Sequence, residues 1–311
     1  MKRPLTLLAL LAIVSYVALL RYDRPPAAPG AWLKASGLEE RFATVEGVRV
    51  RYVRTGTGPA VVLLHGFASS IYTWKDVIAA LATDHEVVAL DLPGFGWSDQ
   101  PADLSFELLP RVVVRLMDEI GIARASLVGN SLGGAVAVVV ATEQPARVER
   151  LVLVDSAGFN LRPEDRPVMV RLTSHPWAEA VVGRLPLRRL LVTLGLRQVF
   201  YDDAKVTEER INEYLAAASR PGTLASIRGL RTSVPISPDA FAERLRRVGA
   251  PTLVIWGQED SWIRLADADR FVAAIPGARK VVLPGAGHTP QEEKPDEVTA
   301  LLRGFLASPS P

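Results

Sequence analysis

The chain has 311 residues, 49% of them hydrophobic and 23% charged, a balance that supports one large α/β domain with an insertion, or two modest domains. A net charge of +2 spread along the chain argues against nucleic acid as a partner, and no RNA- or DNA-binding motif occurs. The lack of cysteine excludes disulfide scaffolds, thiolate catalysis and Cys-ligated zinc, and only four histidines (His65, His85, His175 and His288) compete for an acid–base role.

At the N-terminus, Lys2 and Arg3 precede an apolar run from Leu5 to Leu20, broken only by Thr6, Ser15 and Tyr16, and Arg21 and Arg24 follow. A positive start before an apolar run is a membrane-targeting pattern. Sixteen residues rise about 24 Å as a helix, short of a hydrocarbon core of about 30 Å, but snorkelling Arg21 and interfacial Tyr16 and Tyr22 can extend the reach. The expectation is an uncleaved anchor within residues 1–24, with the catalytic domain on the outer face and the membrane as a partner. The alternatives are a cleaved signal peptide that releases a secreted enzyme, or a soluble helix. Residues 25–40 are expected to act as a linker, because Pro25–Ala31 is rich in proline and alanine.

Two short strands, Arg41–Val45 and Val48–Arg54, flank Glu46-Gly47 and predict an antiparallel pair. Buried β-branched runs follow at Ala60–Leu64, Glu86–Leu90, Ala125–Val128, Leu151–Val154, Thr252–Trp256 and Lys280–Leu283. Helical patterns alternate with most of them, at Tyr72–Ala82, Leu108–Ile120, Leu132–Thr142, Ala266–Ala274 and Asp296–Leu306. Strands without polar alternation, separated by helices, predict an α/β fold with a mostly parallel central sheet covered on both faces. Ligands in such sheets collect at the carboxyl ends of the strands. Residues 160–248 carry no strand pattern and predict a helical lid, or else a separate helical domain. The core is thus divided into residues 41–159 and 249–311. Within the lid, Trp177, Leu185, Leu187, Leu190, Leu191, Leu194 and Phe200 supply apolar surface for a pocket, and Arg184, Arg188, Arg189 and Arg197 could face anionic lipid.

Gly129-Asn130-Ser131-Leu132-Gly133 fits G-x-S-x-G and lies between a strand and a helix, where a strained turn lifts a serine hydroxyl off the sheet edge. Side chains at Gly129 and Gly133 would collide with neighbouring backbone. A serine nucleophile needs a base, and His288, in Gly285-Ala286-Gly287-His288 after the last strand, can swing an imidazole over Ser131. His65 sits directly before Gly66 and more plausibly shapes a turn. The imidazole needs a carboxylate to set its tautomer, supplied by Asp260 at the end of the penultimate strand, with Asp155 as the alternative. Asp91 and Asp99 are expected to cap turns. The backbone N–H groups of Leu132 and Phe67 are the candidate oxyanion donors, and Asn130 and Trp177 the candidate substrate contacts. No cofactor or metal is expected.

His65-Gly66-Phe67, Asp91-Leu92-Pro93-Gly94-Phe95-Gly96-Trp97-Ser98-Asp99, the Gly129–Gly134 elbow, Trp256-Gly257-Gln258-Glu259-Asp260 and Gly287-His288 together resemble the α/β-hydrolase superfamily from about Phe42 to Phe305. The resemblance implies a Ser-His-Asp hydrolase acting through an acyl-enzyme. Within the superfamily, Gly-Asn-Ser-x-Gly-Gly resembles carbon–carbon bond hydrolases of ring-fission products. Here, however, Thr289 follows the histidine where those enzymes usually carry an aromatic residue, and Phe67-Ala68-Ser69-Ser70 replaces their Gly-rich segment. Ser131 separates the chain from haloalkane dehalogenases and epoxide hydrolases, whose nucleophile is Asp. The leading expectation is hydrolysis of a small-molecule carboxylic ester, apolar or lipid-like. C–C hydrolysis, perhydrolysis or lyase chemistry on the same triad is the second, and a non-catalytic ligand-binding module the third.

Overall fold

The structure, a computed structural model, describes residues 13–24, 30–159, 186–233 and 237–307. Its strands are β1 (Glu40–Val45), β2 (Val48–Thr55), β3 (Ala60–Leu64), β4 (Glu86–Leu90), β5 (Ala125–Asn130), β6 (Val148–Val154), β7 (Thr252–Gly257) and β8 (Arg279–Leu283). They form one sheet in the order β1-β2-β4-β3-β5-β6-β7-β8. β2 runs antiparallel to both β1 and β4, and the other neighbours are parallel. The antiparallel start has a local cause: Glu46 and Gly47 take φ of 51 and 75, the left-handed pair that a tight two-residue hairpin turn requires.

Because successive strand residues point to opposite faces, an unbroken apolar strand serves two cores. Val62, Leu64, Leu127, Leu151, Leu153, Val254 and Trp256 enter one, and Val61, Leu63, Val128, Val152, Val154, Leu253 and Ile255 the other. The first core is closed by α4 (Leu108–Glu119), α5 (Leu132–Glu143), α9 (Pro238–Leu245) and α10 (Leu265–Ala274), and the second by α3 (Lys75–Leu81) and α11 (Pro295–Leu306). α5 is buried from Leu132 to Ala141. A helix apolar all round has to sit inside, and it therefore delivers its first residue to the centre of the sheet edge.

Between β6 and β7 the described residues form α6 (Arg188–Val199), α7 (Glu208–Ala218), α8 (Thr223–Ser233) and α9, with no strand among them. α9 packs on α5 and α10 through Phe241 and Leu245, as part of the main core. Residues 31–35, expected as linker, form the short helix α2 (Ala31–Ala35), whose Leu33 is buried and whose Trp32 ring meets Tyr72 edge-on at 5.6 Å.

The expected membrane anchor is corrected by the structure, and with it the outer-face location that rested on it. Among the described residues no helix is long and apolar enough to cross a membrane. Residues 13–22 form a helix, α1, exposed along its length. Its end is tied to protein instead. The Asp23 carboxylate accepts the Arg189 N–H at 2.7 Å, capping the first turn of α6, and the Arg189 guanidinium lies 5.1 Å over the Tyr22 ring. Arg189 is also paired with Glu208 and donates to Asn212 at 2.8 Å, so its charge is spent within the molecule.

Asp91, after β4, is the hub of the adjacent loops. Its side chain is fully buried and accepts from Ile71 N–H at 2.7 Å, Trp97 N–H at 2.8 Å and Arg51 Nη1 at 3.2 Å. A Cβ on Gly96 would stand 2.2 Å from its carboxyl carbon, so the loop wraps the carboxylate closely. Asp99 accepts from Arg49 N–H at 2.9 Å, so both aspartates hold turns as expected. Asp91→Ala leaves two amides without their acceptor and leaves the Arg51 guanidinium only its pair with Glu40, and is expected to cost about 2–4 kcal/mol of stability in urea denaturation. A loss under about 1 kcal/mol would show that the hub is dispensable.

Candidate active site

The site is assembled from the turns that follow β3, β5, β7 and β8. Ser131, between β5 and α5, has φ 51 and ψ −115, a left-handed conformation that a side chain adopts only when its surroundings force it. The force comes from packing. A Cβ at Gly129 would stand 2.4 Å from the Gly133 carbonyl carbon, and one at Gly133 would stand 2.3 Å from the Leu64 carbonyl oxygen. The Ser131 carbonyl is held by the N–H groups of Gly134, Ala135 and Ala157. Leu132 opens α5, so its N–H has no intrahelical partner and stands at the positive end of the helix dipole.

The turn after β3 crosses directly beside this serine. A Cβ at Gly66 would stand 3.2 Å from Ser131 Cβ and 2.9 Å from Asn130 Oδ1. His65 braces the turn: Nδ1 donates to the Gly66 carbonyl at 2.7 Å, while Nε2 accepts the Leu92 N–H at 2.9 Å. Complete burial pushes its pKa down, which keeps the ring neutral in that tautomer.

His288 follows β8. Its Nδ1 donates to Asp260 Oδ2 at 2.8 Å, which leaves Nε2 as the acceptor. The Asp260 side chain is fully buried, and its Oδ1 accepts the N–H groups of Trp262 at 2.7 Å and Ile263 at 3.0 Å. Two further carboxylates shape the histidine loop. Glu259 accepts from Gly285 and Ala286 N–H. Glu293, whose pKa burial raises, accepts from Gly287 N–H on one oxygen and from Tyr201 and Asp202 N–H on the other. The His288 N–H itself donates to the Val199 carbonyl of α6 at 2.8 Å.

Asp155, the alternative acid, adjoins the pair. Ligand-type atoms of Asp155, Asp260 and His288 lie within 4.8 Å of one another. Asp260 faces the imidazole N–H and two amides, whereas Asp155 Oδ1 accepts only Gly257 N–H, at 2.9 Å. Burial and the neighbouring Asp260 carboxylate therefore push the Asp155 pKa well up, which favours a protonated Asp155.

Ser131, His288, Asn130 and Phe67 share one cavity of about 230 Å³, walled by α6, α7 and α8 together with the strand-end loops. The Asn130 amide also donates to the carbonyls of Val154 and His288, both at 3.1 Å, so it ties the turns that carry Ser131 and His288 together as well as lining the cavity. Asp260 stands behind His288, and Leu132 begins the helix beneath. Trp177, Leu185 and Arg184 lie outside the described residues. Of the other apolar residues expected to line a pocket, Leu191 does so, Leu187 is half-buried outside the cavity lining, Phe200 is buried in a small cluster with Leu196 and Ile211, and Leu190 and Leu194 are exposed.

Among the lining residues the sequence reading did not single out Trp262 or Tyr214, and it gave Arg188 a place facing lipid. The Trp262 ring lies 5.5 Å from the His288 ring at a tilt of 31°. Tyr214, on α7, stands between the two loops: its hydroxyl lies 3.2 Å from Ser69 Oγ and donates to Glu292 Oε1 at 2.5 Å. Glu292 is itself buried against Thr73 and Arg210. Arg188 lines the cavity at the start of α6. Nearness to Asp260 in sequence was a usable signal for Trp262, whereas Tyr214 reaches its partner across 78 residues, beyond any local pattern.

Residues 59–295 match the alpha/beta hydrolase fold family, and the chain belongs to it. The chain is 33% identical over 299 residues to the dihydrolipoyllysine-residue acetyltransferase component of an acetoin cleaving system from Cupriavidus necator, covering 94% of this chain and 75% of that protein. It is 32% identical over 271 residues to a 2-hydroxy-6-oxo-6-phenylhexa-2,4-dienoate hydrolase from Comamonas testosteroni, covering 83% of this chain and 91% of that one. Among solved structures it is similar to a membrane phospholipase A described as a bacterial virulence factor, with a TM-score of 0.73, 27% identity and 98% of each chain covered.

The protonated Asp155 has a measurable signature. A carboxyl whose folded pKa is raised contributes its full stability below the unfolded value and loses it as pH climbs toward the folded one. Wild-type stability should therefore fall relative to Asp155→Asn as pH rises above the ordinary carboxylate range of about 4 in thermal melts. A difference that stays constant as pH rises would count against a neutral Asp155.

Proposed function

We propose that the protein is a serine hydrolase that cleaves carboxylic esters through an acyl-enzyme, beneath a lid formed by α6, α7 and α8. The carrying observation is the 2.8 Å His288–Asp260 bond in the cavity that also holds Ser131 at φ 51. In this mechanism His288 Nε2 takes the Ser131 hydroxyl proton as Oγ attacks the ester carbonyl. The N–H groups of Leu132 and Phe67 receive the developing oxyanion. The same proton then passes from Nε2 to the departing alkoxide, releasing the alcohol. Water, deprotonated by His288, attacks the acyl-enzyme, and the acid leaves as Ser131 regains its proton. Asp260 keeps Nδ1 protonated and stabilises the imidazolium. The cavity wall contributed by Leu191, Val192, Leu196 and Val199 favours an apolar acyl or alcohol group.

Cleavage of a C–C bond in a vinylogous diketone is the second reading, and the similarity to the Comamonas dienoate hydrolase favours it. A panel of p-nitrophenyl esters of increasing chain length, assayed beside such a diketone, separates the two. Ester turnover that rises with chain length and exceeds diketone turnover is the expected result, and a preference for acetyl over every longer ester would overturn the apolar pocket.

Ser131→Ala is expected to lower kcat by several orders of magnitude with the fold intact by circular dichroism. A variant that kept a tenth of the activity would remove Ser131 from the nucleophile role. Asp260→Asn should cost about 10⁴-fold in kcat, because the amide no longer sets the imidazole tautomer. Asp155→Asn exchanges a neutral acid for a neutral amide and should be far milder. The reverse ranking in a matched ester assay would exchange the roles of the two aspartates.

A further inference from the structure

α6 presents Arg188, Leu191, Val192, Gly195, Leu196 and Val199 to the cavity, the spacing of one helical face. Its two ends differ in chemistry. The Val199 end is bonded to the His288 loop, next to the reaction centre. The other end carries Arg188, half-buried, whose guanidinium makes no hydrogen bond or ion pair with any described residue. Among the described residues no carboxylate lines the cavity, and Arg188 is its one permanently charged side chain. Neighbouring Arg189, by contrast, is satisfied by Glu208 and Asn212. A guanidinium partly withdrawn from water against apolar walls is stabilised by an oxyanion that enters with the substrate, and its planar fork matches carboxylate or phosphate geometry.

Position sets the length of that substrate. About 16 Å of helix rise separates Arg188 from Val199, and a long helical side chain leans toward the helix N-terminus, here away from Ser131. The anion is therefore held about 10 Å or more from the scissile carbonyl. We propose that Arg188 forms a remote anion subsite, so that the preferred substrates are elongated esters with a carboxylate or phosphate at the end opposite the bond that is cut. This deepens the ester-hydrolase reading and rests on it for the identity of the bond.

The test compares kcat/KM for the mono-p-nitrophenyl ester of decanedioic acid with that for p-nitrophenyl decanoate, and repeats the comparison with the short butanedioate and butanoate pair. A third arm carries a terminal phosphate in place of the carboxylate and identifies which oxyanion is preferred. The long anionic ester should be favoured about tenfold or more over its neutral partner, the yield of a charge-assisted hydrogen bond. The short pair, unable to reach Arg188, should show no such preference. Arg188→Gln should abolish the ratio, Arg188→Lys should restore part of it, and high salt should weaken it. Equal rates for the long pair in the wild type, or a ratio unchanged in Arg188→Gln, would overturn the subsite. If no ester is hydrolysed, the ester reading fails, and the subsite is judged by calorimetric titration with monomethyl decanedioate. Ser131→Ala should then bind it about tenfold more tightly than Ser131→Ala/Arg188→Gln, and equal affinities would dispose of the subsite as well.

Discussion

A serine held at φ 51 between a buried strand and a buried helix is possible only if nothing nearby can relax. The constraint is steric and lies in backbone rather than in side chains. Gly129 and Gly133 touch each other, Gly133 touches the end of β3, and Gly66 passes over Ser131 Cβ. The turns after β3 and β5 thus share one small volume, with no room for a side chain at any of the three glycines. The position of Phe67 follows from that packing, as does the aim of the Leu132 N–H.

Around this rigid centre the polar groups are arranged so that each carries one assignment. His65 is neutral and structural, His288 is oriented by Asp260, and Asp155 keeps a proton where a second negative charge would raise the energy of the first. Glu259 and Glu293 both bond the segment just before His288. They serve as acceptors for amides in the histidine loop, which is how a Gly-rich segment comes to hold one conformation.

The sheet was legible because parallel strands buried on both faces cannot alternate polar residues, and Val61–Leu64 or Leu151–Val154 have no other sensible place. The turn at Ser131 was legible for a similar reason, since two glycines at fixed offsets from a serine report close backbone contact. Long-range polar networks left no such mark. Nothing local in the sequence joins Tyr214 to Glu292, or Asp23 to Arg189, because the partners are distant in the chain and the residue types are ordinary. The N-terminal run misled for a related reason. Hydropathy registers an apolar stretch, but it does not register that the carboxylate closing it caps a helix elsewhere in the molecule.

The bond from His288 N–H to the Val199 carbonyl joins a loop of the sheet to a helix from the segment between β6 and β7. Gly287 reinforces it, because a Cβ there would stand 2.4 Å from the same carbonyl. That segment therefore cannot be exchanged between relatives as an independent cassette. A transplanted helix that ended a residue early would move the carbonyl and leave an amide unpaired beside the imidazole. Divergence of the cover, and any attempt to graft a new one, has to preserve the last turn of α6 while varying the turns before it. Only the portion of the cavity far from His288 is then free to change from one relative to the next.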